Sequence, residues 1–166
     1  MIIRRSEERD LPEIYAIYES ARAYMASLGN ATQWGDGWPY ENVVRGDVQD
    51  GTGYVAEENG EVVGVFHYRY GEDPEETYRR IDGKWRDGSP YGVVHRIASK
   101  YHGRSIGEAM LRFAVEKAGH LRIDTHEKNQ PMQALLQKLG FVYCGTIRVR
   151  DGSERLAFEV SKDRKQ

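Results

Sequence analysis

Asp124 and His126 lie two positions apart in Leu121-Arg122-Ile123-Asp124-Thr125-His126, a segment that alternates strictly between its two sets of side chains. That period of two belongs to a strand with Arg122, Asp124 and His126 on one face. A carboxylate and an imidazole side by side could take a proton from an attacking nucleophile, directly or through water, and an imidazole titrates near neutral pH. The same face has a purely structural use, because Arg96 on a neighbouring strand could pair with Asp124. A strand inside a mostly parallel sheet should be apolar on both faces, so these polar side chains need partners or a cleft.

A second chemical candidate is the turn Tyr101-His102-Gly103-Arg104-Ser105-Ile106-Gly107. It follows the β-branched, apolar run Tyr91 to Ala98 and precedes Ile106, Met110, Leu111, Ala114, Val115 and Ala118 at helical spacing. Glycines and a serine at the mouth of a helix leave backbone N–H groups uncovered where the helix dipole is positive, a place suited to a phosphate. Ser105 with Glu108 also makes an ordinary capping box, and spacing alone leaves both uses open. Trp34 and Trp38, in the irregular stretch Thr32 to Tyr40, are either plugs at the core edge or a wall for a second substrate, with Asp36 and Glu41 suited to a cationic one. The lone Cys144 could act as a nucleophile, but an isolated buried cysteine is usually inert.

The elements that must hold these groups read as follows. Met1 to Arg5 is a strand; Asp10-Leu11-Pro12-Glu13 opens an amphipathic helix over residues 11 to 28, ending at Gly29; Pro39 starts a short helix through Val44. Strands Gly53 to Glu58 and Glu61 to Tyr70 flank Asn59-Gly60, a strong hairpin signal. Residues 71 to 90 form a polar excursion, read as a solvated connection or, from its Tyr78 to Trp85 span, as a lid over an acceptor site. After the central strand and helix come the Asp124 strand, a helix from Asn129 to Gly140, and a hairpin of Phe141 to Arg150 with Glu154 to Val160; the charged tail from Ser161 is expected to fray. Two adjacent strand and helix crossovers place a parallel pair in the middle of an otherwise antiparallel sheet.

With 166 residues, 39% hydrophobic and 30% charged, the composition suits one soluble domain spanning residues 1–166. A net charge of -2 provides no global field for nucleic acid or an anionic membrane. One cysteine excludes an internal disulfide and a multi-cysteine zinc site, so no metal is expected. No apolar run approaches a membrane span, and Met1-Ile2-Ile3-Arg4-Arg5 lacks the apolar segment of a signal peptide, which points to a cytoplasmic setting.

His102-Gly103-Arg104-Ser105-Ile106-Gly107 resembles the Arg/Gln-x-x-Gly-x-Gly/Ala pyrophosphate loop of GNAT-type N-acetyltransferases, with His102 for Arg/Gln and Ser105 for the first glycine. Asn129 followed by Leu135-Leu136-Gln137-Lys138-Leu139-Gly140-Phe141 is similar to that family's Asn, helix, Gly-Phe ending, and the element order resembles the GNAT fold over essentially the whole chain. The resemblance implies an α/β (α+β) domain: a mixed, mostly antiparallel sheet of about seven strands with a central, splayed parallel pair and helices on both faces. It implies that the backbone of Ile97 and Ala98 meets the pantetheine arm of acetyl-CoA, that His102, Gly103, Arg104, Ser105, Ile106 and Gly107 hold the pyrophosphate, and that Asn129 contacts the pantetheine or adenosine side. In the branch that acetylates ribosomal-protein N-termini, a carboxylate base stands five residues before the asparagine, the position of Asp124. The family's usual general acid is a tyrosine on the last helix, where this chain has Leu136, leaving Tyr143, Cys144 or solvent to protonate the thiolate. The expected activity is acetyl transfer from acetyl-CoA to a small-molecule or peptide amine, with Asp124 or His126 as base and Trp34 and Trp38 binding the acceptor; a homodimer is compatible with it. The alternative is a non-catalytic acyl-CoA binding or sensing module.

Overall fold

The computed structural model describes residues 1–35 and 37–162; Asp36 and the end of the charged tail lie outside the described residues. Among the described residues, four α-helices accompany an eight-stranded, mostly antiparallel sheet in the order β1-β2-β3-β5-β6-β8-β7-β4. The strands are β1 (Ile2–Arg5), β2 (Gly53–Glu58), β3 (Glu61–Gly71), β4 (Ile81–Gly83), β5 (Tyr91–Ser99), β6 (His120–Thr125), β7 (Val142–Arg148) and β8 (Glu154–Ser161). The helices are α1 (Leu11–Ser27), α2 (Glu41–Asp50), α3 (Ile106–Ala118) and α4 (Gln130–Lys138). The expected parallel pair is present: β5 and β6 run together with Gly92 opposite Leu121 and Val93 opposite Arg122. By contacts the chain divides into two compact units, Met1–Tyr68 with His95–Phe113 and Arg69–Val94 with Ala114–Gln166. No helix among the described residues is long and apolar enough to cross a membrane.

In the first unit, α1 buries Leu11, Ile14, Ile17, Tyr18, Ala21 and Met25 in one cluster with Val44, Val55, Val62, Val65 and Ala98. Burying each large aliphatic side chain contributes about 1.5–3 kcal/mol, far more than helix propensity supplies. Asn59 and Gly60, at φ 54° and 79°, are both left-handed, the type I′ turn that their residue types favour. At Gly64 a Cβ would stand 2.7 Å from Met110 Sδ and 2.9 Å from Ile106 Cγ2, so the missing side chain lets α3 approach the strand. The second helix runs on to Asp50 rather than stopping at Val44: Val44 and Val48 share its inner face, and left-handed Gly51 ends it.

The second unit corrects the strand count. Within residues 71–90, Ile81, Asp82 and Gly83 pair antiparallel with Ile147, Thr146 and Gly145, adding an eighth strand at the sheet edge. The backbones meet so closely that a Cβ on Gly83 would lie 2.2 Å from the Cys144 carbonyl, and one on Gly145 2.2 Å from that of Asp82. The excursion is anchored structure rather than a solvated connection: Tyr78, with Tyr91, Val93, Ile147 and Ala157, forms a buried cluster against which Ile81 and Trp85 pack. Ser161, expected to begin a fraying tail, is the last residue of β8, paired with His120.

Candidate functional site

The first unit holds Trp34, Trp38, Ile97, Ala98 and the turn from His102 to Gly107; the second holds Asp124, His126 and Asn129. In the turn, His102, Gly103, Arg104 and Ser105 are exposed, and Ile106 begins α3 as a fully buried anchor. The first amides of α3 have no intrahelical acceptor, so the turn presents donors at the positive end of a helix. Gly103 is left-handed at φ 77°, and a Cβ there would meet nothing within 4 Å, so the approach is open. Ser105 is left-handed too, at φ 60°, which explains in physical terms why the related loops carry glycine at this place. The His102 ring stacks on Tyr24 of α1 with centroids 3.8 Å apart, and the Arg104 guanidinium lies 4.6 Å from the Tyr101 ring centre and 3.3 Å from Glu58. These donors and this open, pinned backbone fit a pyrophosphate.

The strand leading into the turn is bent. Arg96 lies mid-strand at φ 54°, a conformation that costs a side-chain-bearing residue about 1–2 kcal/mol and needs outside support. Tyr18 donates its hydroxyl to the Arg96 carbonyl at 2.7 Å, and the Arg96 guanidinium makes two hydrogen bonds to Asp47 of α2, at 3.2 and 2.7 Å. The pairing of Arg96 with Asp124 anticipated from the sequence is therefore replaced, since a strand-to-strand reading had no means of seeing the turned backbone at Arg96. Burial pushes the Asp47 carboxyl upward against the pull of Arg96, and burial likewise keeps the Tyr18 phenol protonated as a donor. Buried His67 and neighbouring His95 stack at 5.9 Å in the same unit, a pair that strand alternation alone did not single out.

The aromatic stretch divides in two. Trp34 meets Tyr18 edge-on at 5.6 Å and packs against the α1 cluster, whereas Trp38 meets exposed Tyr40 edge-on at 5.6 Å and its carbonyl accepts from Arg22. A cavity of about 270 Å³ is lined by Tyr15, Tyr18, Glu19, Arg22, Gly37, Pro39, Tyr40 and Glu41, and neither Trp34 nor Trp38 is among its walls.

In the second unit the polar face of β6 finds its partners in the excursion. The Arg122 guanidinium sits 4.2 Å from the ring centres of both Trp85 and Tyr91 and donates to the Asp87 carbonyl at 2.7 Å. Asp124 accepts from the Tyr78 hydroxyl at 2.7 Å. His126 accepts the Lys128 amide on Nδ1 at 3.0 Å, and burial pushes its imidazole below the ordinary range. Neighbouring His120 and Glu159, both nearly inaccessible, are 3.0 Å apart. Asn129 caps α4, its Oδ1 accepting from the Met132 amide at 3.2 Å. Leu136 is fully buried, and Tyr143 is 53% exposed. Burial pushes the Cys144 thiol up to about 11, away from the thiolate that a relay needs. Sequence reasoning missed Tyr78 as the partner of Asp124 and Asp47 as the partner of Arg96; the first was visible only as an aromatic residue in a polar stretch.

Comparison with known proteins bears on the whole chain. No curated protein matches it. Among solved structures, a GNAT-family acetyltransferase from Streptococcus agalactiae is 35% identical, with 98% of this chain and 96% of that one covered and a TM-score of 0.88. A ribosomal-protein-alanine N-acetyltransferase from Brucella melitensis is 23% identical over 97% and 99% of the two chains, with a TM-score of 0.65. A Salmonella typhimurium protein determined with its cofactor acetyl-CoA is 16% identical over 99% and 95%, with a TM-score of 0.66. The last two show a shared fold. The family described as acetyltransferase (GNAT) matches residues 11–141. That stretch runs from the first residue of α1 through the pinned turn before α3 and past α4, and the chain belongs to the GNAT acetyltransferase family.

Proposed function

We propose that this chain is a single N-acetyltransferase domain that moves an acetyl group from acetyl-CoA to a primary amine, by direct attack of the amine on the thioester carbonyl. The observation that carries the reading is the exposed turn from His102 to Ser105, left-handed at Gly103 and Ser105 and set on the N-terminus of α3. Its amides and those of Ile106 and Gly107 hold the pyrophosphate, the backbone of Ile97 and Ala98 aligns the pantetheine arm, and the family resemblance gives Asn129 a cofactor contact as well. Acetyl-CoA supplies the activated acetyl group; the chain orients it and manages protons.

Asp124 is the preferred base. A neutral imidazole has one acceptor nitrogen, and in His126 that nitrogen already receives the Lys128 amide, so His126 must release that amide before it can serve as base. Backbone N–H groups stabilise the oxyanion. With Leu136 in the core, the departing thiolate takes its proton from Tyr143, Cys144 or solvent, while the raised pKa of the Cys144 thiol speaks against its acting as an acyl relay. For the acceptor, Glu19 and Glu41 beside Tyr15 and Tyr40 suit a cationic amine, and Trp38 is better placed than Trp34 to alter its binding.

The buried Leu136 favours one other reading, an acyl-CoA binding module without turnover. A panel of amino acids, polyamines, aminoglycosides and peptide N-termini, assayed for free thiol released from acetyl-CoA, separates the two. Release that depends on one class of amine supports the transferase; binding of acetyl-CoA with no release across the panel supports the module.

A further inference from the structure

Tyr78 comes from the short helical turn Glu76–Tyr78 in the excursion, far along the chain from Asp124, and yet is 1% exposed with its hydroxyl 2.7 Å from Asp124 Oδ2. Its ring is fixed by Trp85 at 5.2 Å, by Tyr91 at 6.2 Å and by Val93, Ile147 and Ala157. The Trp85 indole N–H donates to the Tyr78 carbonyl at 2.8 Å and so holds the backbone that carries the ring. Burying a tyrosine hydroxyl is costly unless it is hydrogen-bonded, and this one is directed at a half-buried carboxylate on a strand. The anchored excursion therefore delivers one donor to one acidic side chain.

We infer that Tyr78 is a positioning residue for the acetyl transfer, acting through Asp124; the inference rests on Asp124 being the base. By engaging Oδ2, the phenol selects one carboxylate rotamer and leaves Oδ1, which no other described residue bonds, to receive the proton. In the proton step the acceptor's ammonium N–H bond breaks and an O–H bond forms at Oδ1, while Tyr78 keeps its own proton throughout. Burial, with the Asp124 charge beside it, pushes the phenol well above its ordinary range, consistent with a donor that stays protonated. A base held in one orientation loses less freedom on reaching the transition state than one that must find it. The family's tyrosine on the last helix is absent here, and Tyr78 does not replace it, since its hydroxyl is committed to Asp124.

The test is a double-mutant cycle on kcat with the amine found by the thiol-release panel. Tyr78→Phe keeps the ring and removes the hydroxyl; kcat should fall about tenfold with the acetyl-CoA KM unchanged. Asp124→Asn should fall about 10²-fold, and the double variant should be no slower than Asp124→Asn alone. Should Tyr78→Phe melt early, Trp85→Phe serves instead: it removes the indole N–H bond to the Tyr78 carbonyl and should lower kcat about threefold with the same lack of additivity. A Tyr78 variant with normal kcat per folded molecule, or losses that multiply, overturns the positioning role while leaving Asp124 as base. Full turnover in Asp124→Asn overturns the base and the positioning role together.

Discussion

Tyr18→Phe removes one oxygen and tests how the bend at Arg96 is held. The Arg96 backbone is strained by about 1–2 kcal/mol at φ 54°, and one of its supports is the 2.7 Å hydrogen bond from Tyr18, a residue 2% exposed. Losing that bond and leaving the carbonyl without its donor costs about 1–3 kcal/mol. A chain of this size loses about 2–4 °C of melting temperature per kcal/mol, so the expected fall is about 2–12 °C. Ile97 and Ala98 follow the bend directly, so relaxation there should also raise the acetyl-CoA KM, by about threefold to tenfold. A matched control is Ile147→Val in the other unit, at 1% exposure, which should cost about 0.5–1.5 kcal/mol and leave that KM alone. Calorimetric melting beside acetyl-CoA titration measures both quantities. An unchanged melting temperature refutes the claim that Tyr18 supports the bend, and a lowered one with unaltered KM refutes the link from bend to cofactor.

Other perturbations follow from single residues. Ser105→Gly should keep acetyl-CoA affinity and melt at the same temperature or slightly higher, because about 1 kcal/mol of left-handed strain relieved is offset by added freedom in the unfolded chain; Ser105→Val should melt lower in the same scan. Acid should destabilise the fold through Asp10 and Asp87, whose carboxyls are held below the ordinary range by hydrogen bonds from Arg4 and from Ser161 and Ser89. Because both folded values lie below the unfolded one of about 3.9, their stabilisation is complete above it and is lost as pH falls toward the folded values, so Asp87→Asn should flatten the melting curve against pH in that range. Trp34→Ala should melt early through its contact with Tyr18 and the α1 cluster, whereas Trp38→Ala should melt almost as the parent does and raise the acceptor KM while sparing that for acetyl-CoA.

Local chemistry made much of this architecture legible. Asn59-Gly60 announced its hairpin, the apolar spacing from Leu11 announced α1, and the glycines after Tyr101 announced a turn feeding a helix. What remained hidden depended on long-range pairing or on turned backbone. Ile81 to Gly83 is too short for a period, and becomes a strand only because Gly145 lets it close on β7. Gly46 in mid-helix concealed the continuation of α2, and with it Asp47, the partner that Arg96 takes. For Arg122 and Asp124, alternation found the polar face of β6 but not the groups that satisfy it, because Tyr78, Trp85 and the Asp87 carbonyl come from a segment whose composition resembles a solvated loop, while His126 lies just past the strand's end.

The most direct measurement is isothermal titration of acetyl-CoA into the parent protein and into Gly107→Glu, with circular dichroism showing both to be folded. The substitution places a carboxylate in the first turn of α3, where helix geometry tolerates it and a pyrophosphate would be repelled. The account predicts saturable binding to the parent and its loss, by about 10²-fold or more, in the variant. Equal affinity in a folded Gly107→Glu protein, or no binding to the parent, would contradict it.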